Sequence, residues 1–565
     1  MNRNVESHFS DLPSVDIQRS IFDRSFTHKT SFNVGQLIPF YVDEVLPGDS
    51  FKVTTSKVVR LQTLLTPVMD NLYLDTYYFF VPNRLVWSHW KEFMGENTSS
   101  AWIPQTTYQI PSIAAPASTG FNTGTLADYF GLPVGVTWSN TDPRRPSALP
   151  FRAYALICNE FFRDENLSDP LNIPTGDSNQ TGTNGTGNYI NDVANGGPPF
   201  LVSKYHDYFT SCLPSPQKGP SVTFPLISGS IAPVGTVDLP DVPHSSLANF
   251  GSKNLRWQQT SSVGTQYTPA AWQTIALSNS GNTLAGTVSG SISNTVGITP
   301  MNLVADLSTS VGAVSINELR LAFQLQKYYE KNARGGTRYT EIIRSHFGVT
   351  SPDSRLQRPE YLGGNRVPVT IHEVTNTAQT TNDFLGDLGA MSVTSNINED
   401  FSHSFTEHGL VIGVCCLRYD HSYPQGLERF WSRRNPTDFY LPVFANLGEQ
   451  PVFQSEICAT STNMANDTVF GYQEAWADYR FKPDRVSGEM RPGISNSLAS
   501  WHFADYYNSA PTLSDSWIRE DKTNVDRTLA VQSANANQAF MDVYVKNICT
   551  RPMPMYSIPG LIDHH

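Results

Sequence analysis

Charge is scarce in this chain. Asp, Glu, Lys and Arg make up 16% of its 565 residues, and 51 acids against 39 bases leave a net charge of −12. A dedicated nucleic-acid binder is usually basic, so this balance confines any nucleic-acid contact to local patches. The six cysteines (Cys158, Cys212, Cys415, Cys416, Cys458 and Cys549) show no C-x-x-C and no regular spacing. That argues against a disulfide scaffold or a zinc site and for reduced, buried thiols. No apolar run reaches membrane-spanning length, and the opening MNRNVESHFSDLPSVD has no apolar h-region. A soluble chain without a signal peptide is expected. Also missing are H-E-x-x-H, G-x-S-x-G, the Walker A loop and the dinucleotide fingerprint. Ser50, after Gly48-Asp49, leads into a strand pattern rather than a helix, unlike an esterase serine. His372 and Glu373 point to opposite sides of a strand pattern. Asp420-His421 follows a strand with no nucleophile placed beside it. No catalytic residue, metal ligand or cofactor is therefore assigned.

What is plentiful is Gly and Pro, 38 each, and aromatics at 12%. Such a composition suits a strand-rich, loop-rich protein with large buried or inter-subunit surfaces. Phe32, Val34, Ile38, Phe40 and Val42 alternate along one run, which Pro39 confines to an edge or a bulge. Phe51, Val53, Val59 and Leu61 alternate in the next. Leu72 to Val81 and Leu410 to Tyr419 are apolar on both faces, as in central, doubly covered strands. Adjacent Cys415 and Cys416 must then face opposite sides. Val367, Val369 and Ile371 alternate again, as do Met541, Val543 and Val545 near the end. Asn83 is read as a helix cap ahead of Val86, Trp90 and Phe93. Pro150 opens a helix whose stripe is Phe151, Tyr154, Ala155, Cys158 and Phe162, making Cys158 a core residue. Parallel βαβ alternation and internal repeats are absent, which favours an antiparallel sandwich with inserted helices.

The most distinctive stretch is Ser315 to Gly364. Ser315 and Glu318 read as a capping box, and Ile316, Leu319 and Phe323 as the core-packing stripe of the helix it opens. Gly335-Gly336 ends that helix, and a short second one is predicted over Tyr339 to Phe347. The strings GGTRYTEIIRSHFGV and SPDSRLQRPEYLGG, together with FRAY…NEFFRDENL around residues 151–167, resemble the signature of a coat-protein family. That family comprises the major capsid proteins of microviruses, small single-stranded DNA bacteriophages, in their gokushovirus branch. The resemblance covers about 31–95, 150–170, 315–364 and 405–450.

The resemblance implies an eight-stranded antiparallel jelly roll, a β-sandwich with long inserted loops and several short helices. It implies self-assembly into a T=1 icosahedral shell of sixty copies around circular single-stranded DNA, formed in the host bacterial cytoplasm. Its partners would be an internal scaffolding protein, a DNA pilot protein, a small basic DNA-packaging protein and a host cell-surface receptor. Four regions follow: an arm over 1–30, a first shell part over 31–220, an insertion over 221–310 and a second shell part over 311–565. The insertion is nearly uncharged and rich in Gly, Ser, Thr and Asn. By the resemblance it projects near the threefold axes, with Trp257, Tyr267 and Trp272 as host-recognition candidates. Gly426 to Tyr440 interleaves Arg429, Arg433 and Arg434 with Trp431 and other aromatics. Single-strand grooves are built that way, but so are subunit contacts, which is the preferred reading. Arg355 and Arg358 join the same candidate set. A carbohydrate-active β-sandwich enzyme and a trimeric receptor-binding spike are the alternatives.

Overall fold

A computed structural model describes residues 18–97, 106–222, 316–377 and 384–556, and between 234 and 305 a set of backbone strands. The alternating runs near the start form Ser20–Asp23 (β1), Phe26–Phe32 (β2), Gln36–Val45 (β3), Ser50–Leu61 (β4) and Leu72–Pro82 (β5). After long excursions the sandwich resumes with Glu360–Pro368 (β6), Thr394–Ser404 (β7), Gly409–Tyr419 (β8) and Ala539–Arg551 (β9). One antiparallel sheet runs β9-β4-β7, with β1 and β2 both pairing with β9. The other runs β6-β5-β8-β3 and ends on the two-residue strand Phe200–Leu201.

Each sheet thus has five strands, where an eight-stranded roll was expected. Part of the difference has a local cause, and the rest is the two-residue strand Phe200–Leu201. β1 and β2 lie end to end along β9, pairing with Ile548–Arg551 and Ala539–Val545 respectively, so they act as one broken edge strand. Residues from Ser20 onward therefore belong to the sheet, although the sequence assigns them to an arm; residues 1–17 lie outside the described residues.

The two sheets face each other across one apolar core. Phe51, Val53, Val59, Met541, Val543 and Val545 meet Ile38, Phe40, Leu74, Tyr78, Phe80, Val411 and Cys415 there. Burying side chains of this size on both inner faces is what holds a sandwich together. β8 is buried along both faces, as its unbroken apolar run requires. Cys415 joins the inter-sheet core, and Cys416 the layer on the far side of the same sheet. That far layer is built by the helix Leu149–Ile157 (α1), which continues into a wider turn over Cys158–Phe162, together with Trp87, Trp90 and Phe121. Pro39 sits at a register shift, where Tyr41 and Pro39 pair with the consecutive residues Gly413 and Val414. The predicted cap at Asn83 is displaced by one residue. Pro82 precedes the helix Asn83–Val86, and a second short helix, Trp90–Phe93, follows.

The LGG of the signature string has a steric cause. A side chain at Gly363 would place its Cβ 2.2 Å from the Asp400 carbonyl oxygen, and one at Gly364 2.0 Å from that of Thr76. Only glycine lets β6 lie this close to both neighbours.

The chain divides into two compact units, Met1–Lys218 with Glu330–His565, and Gly219–Tyr329. Between residues 234 and 305 the second unit has a four-stranded sheet and a two-stranded sheet. The four-stranded sheet comprises Thr283–Val288, Gln273–Ser280, Arg256–Thr260 and Gly297–Pro300, in that order. The helix Ile316–Gly335 (α2) follows, then Tyr339–Phe347 (α3) in the first unit. Ser315 lies outside the described residues, and the capping box read there with it. The stripe of α2 is largely exposed. Ile316 is 69%, Leu319 38% and Phe323 62% exposed, and Ala333 is the one residue of α2 that is buried.

Candidate subunit and nucleic-acid interface

The segment from Gly426 to Tyr440 folds as single helical turns, Arg429–Ser432 and Pro436–Asp438, because Pro436 and the short-range Asn435–Asp438 cap leave no room for a longer element. It lies beside a third apolar cluster, formed by Tyr208, Phe209, Tyr423, Val452, Ile457, Phe470 and Trp517. The interleaved residues divide into two kinds. Arg429 Nη2 sits 3.0 Å from Glu456 Oε1, and its guanidinium lies 5.5 Å from the Phe453 ring centre. Burial pushes the Glu456 carboxyl upward, more strongly than Arg429 holds it down. Arg433 pairs with Asp478, each only 10% exposed, and stacks 4.1 Å from the Tyr479 ring centre. Arg358 is held by Asp353 and Glu160 at 3.5 and 3.6 Å and lies 4.3 Å from the Phe161 ring. These three arginines are charge-paired within the chain, although Arg358 Nε and Arg433 Nε are buried without a hydrogen-bond partner.

Arg434 and Arg355 are exposed instead. Trp431 is 61% and Phe430 41% exposed, their ring centres 4.5 Å apart, with Lys482 Nζ 5.1 Å from the Phe430 ring. Two cavities of about 330 and 450 Å³ flank the segment and share Arg429, Arg433, Glu456 and Asp478. Beyond them Phe439, Tyr440, Leu441, Val443 and Leu447 continue an exposed apolar run. Exposed apolar patches of this kind are a general mark of interaction surfaces. Glu456, Asp478, Tyr479 and Lys482 are the residues that sequence reasoning missed. They come from 450–485, where no motif flags them, and tertiary folding alone brings them to the arginines.

Asp420-His421 resolves differently from a catalytic pair. His421 is buried, its Nδ1 3.0 Å from Asp505 Oδ1 and its Nε2 2.8 Å from Glu520 Oε1. Burial opposes its charge, yet the two carboxylates push its pKa up to about 10, so both ring nitrogens donate at neutral pH. Burial would raise Asp505, but His421 and Lys204, the latter at 3.7 Å, hold it far below the usual carboxylate range. This is a buried ionic staple.

Of the recognition candidates, Trp257 lies on the strand Arg256–Thr260 opposite Pro300 and Gln273. Tyr267 and Trp272 lie outside the described residues. Among the described residues no cluster of three or more His, Cys, Asp or Glu could hold a metal ion.

The chain is 42% identical to capsid protein VP1 of Spiroplasma virus 4, over 94% of each chain. It is 39% identical to capsid protein VP1 of Chlamydia phage 1, over 99% of this chain and 98% of that one. Capsid protein VP1 of Bdellovibrio phage phiMH2K is 38% identical over the same shares. A model of the capsid protein (F protein) family matches residues 10–561, and the chain belongs to that family.

Proposed function

We propose that this chain is the major coat protein of a gokushovirus-like phage, sixty copies of which close into a T=1 shell around circular single-stranded DNA. The observation that carries the reading is the near end-to-end match, in both directions, to capsid proteins VP1 of phages from three different hosts. The mechanism is self-association, in which closed symmetry turns a few repeated contacts into a finite particle. The two-sheet sandwich, taken as a jelly roll, forms the wall. The exposed apolar surfaces of α2 and of 430–447 meet neighbouring copies. Arg355 and Arg434, exposed and near aromatic or signature segments, are the residues for subunit or DNA contact. The insertion over 221–310, within the unit Gly219–Tyr329, is the surface for a host receptor, through Trp257, Tyr267 and Trp272.

A scaffolding protein, a pilot protein and a small basic packaging protein complete the assembly in the bacterial cytoplasm. The basic partner supplies the DNA-neutralising charge that a chain of net charge −12 lacks. The test is electron microscopy with sedimentation of the chain co-expressed with the phage's other assembly proteins. Sixty chains of 62.7 kDa give uniform particles of about 3.8 MDa. Monomers or trimers alone would sink the reading. Deleting residues 230–300 should leave shells intact and abolish infection.

A further inference from the structure

One lysine stands where the sandwich calls for an apolar side chain. Lys57 lies on the inner face of β4, in line with Phe51, Val53 and Val59, and is only 2% exposed. Its amine reaches across to the opposite sheet. There it donates to Thr76 Oγ1 on β5 at 2.8 Å and to Asn365 Oδ1 on β6. Both acceptors are neutral, so a buried ammonium here is not charge-paired by the groups it touches, which is a costly arrangement. Burial pushes the amine down, against the pull of Asp400, and so favours the neutral, nucleophilic form.

The surroundings of the Asn365 amide suit attack by that amine. Thr76 Oγ1 donates to Asn365 Oδ1 at 2.7 Å and polarises the carbonyl. Asn365 Nδ2 donates to Asn396 Oδ1 at 2.9 Å, and Asn396 is the register partner of Lys57. Asp400 is held in the same polar cluster by Thr55 and by Asn398 Nδ2, the latter at 2.8 Å. Burial pushes its carboxyl up, so it can hold a proton. Gly363 and Gly364 let β6 lie close to Asp400 and Thr76, which brings the amide to the amine.

We propose that Lys57 and Asn365 join in an intrachain isopeptide bond that ties the two sheets of the sandwich together. Lys57 Nζ hands one proton to Asp400, and its freed lone pair attacks Asn365 Cγ to form the Nζ–Cγ bond. The carbonyl electron pair moves onto Oδ1, beside Thr76 Oγ1. When that pair returns, the Cγ–Nδ2 bond breaks, and Nδ2 takes a second Nζ proton and leaves as ammonia. Ammonia carries off the proton held by Asp400, as ammonium, through the half-buried Asn365 end of the cluster. The third proton stays on the new amide, and no other reactant is needed. The bond removes the buried charge and joins positions 308 residues apart, a long loop whose closure restricts the unfolded chain.

The test is mass spectrometry of a tryptic digest of the folded, full-length chain. Val53–Arg60, uncut at Lys57, should appear joined to the peptide ending at Arg366, at the summed mass less one ammonia. Asn365→Asp should give the same joined peptide less one water instead. A second readout needs no variant of the cluster. With a specific-protease site inserted within 221–310 and cut, the boiled, denatured chain should run as one band, and as two once Lys57→Met is added. Two bands from the chain with Lys57 in place, or a folded chain whose Lys57 and Asn365 peptides are all linear, overturns the proposal. So does Asn365 recovered as aspartate without the link.

Discussion

Helices α1 and α2 both carry an apolar stripe at helical spacing, and the two stripes differ in exposure. On α1, Phe151, Tyr154 and Ala155 are buried, as is Cys158 in the turn that continues it, all against the outer face of the β5–β8 sheet. On α2, Ile316, Leu319 and Phe323 are 69%, 38% and 62% exposed, and Leu321 and Leu325, on the opposite side of the same helix, are 68% and 38% exposed. Periodicity reports which face of a helix is apolar, but it says nothing about what lies over that face. In a protein that works as one copy among many, the cover can come from another molecule, and the two helices then stabilise different things. α1 stabilises the subunit, whereas α2 is free to stabilise the assembly.

The sharpest break in that comparison is Phe151→Ala. Phe151 is 2% exposed and meets Phe130 edge-on at 5.2 Å, so its removal should cost about 3–5 kcal/mol of subunit stability. Thermal melting of the unassembled chain measures it.

The His421 staple should give a loss of similar size, because His421→Gln leaves buried Glu520 without its cation and Asp505 with Lys204 alone, at about 3–5 kcal/mol. Its pH dependence has a definite sign. His421 rises from its ordinary 6.5 to about 10 in the fold. Its contribution is therefore complete below about 6.5 and fades as pH climbs through 10. Asp505 is depressed, so its contribution is present above the normal aspartate range and fades in acid. Melting temperature should fall toward pH 10 in the unchanged chain, and the His421→Gln chain should lose that alkaline slope.

Two neighbouring arginines repeat the contrast on a smaller scale. Arg433→Ala strands Asp478, which is 10% exposed, and should cost about 3 kcal/mol. Arg434→Ala, one residue on and exposed, should not shift melting at all. Chemical denaturation of the two variants side by side reads the difference.

Much of the sandwich was legible because its cause is local. Alternation in β4 and β9, two-sided apolar runs in β5 and β8, and a proline at the β3 bulge each follow from the side chains of one segment. Cys415 and Cys416 fall into separate cores for the same reason. The broken edge strand was not legible, since β1 and β2 become sheet only by pairing with β9, more than 500 residues away. The arginine set was half legible. Composition marked Arg429 and Arg433 as notable, but Glu456 and Asp478, which consume their charge, come from distant segments. What lies over the stripe of α2 was not legible at all, because an apolar stripe does not name its cover.

Ile316→Asp carries the smallest expected effect on the subunit and bears most directly on that last point. A charge placed in a core costs several kcal/mol, since it must be desolvated without a partner. At Ile316, 69% exposed, the new carboxylate keeps its water, and position near the start of α2 even favours it through the helix dipole. Melting of the unassembled chain should therefore be unchanged. Shell yield should fall, because a neighbouring copy would have to desolvate that carboxylate when it covers the stripe. A loss of melting temperature would return α2 to the subunit core. Unchanged yield would mean that the stripe stays uncovered in the particle, and α2 would then have no part in holding copies together.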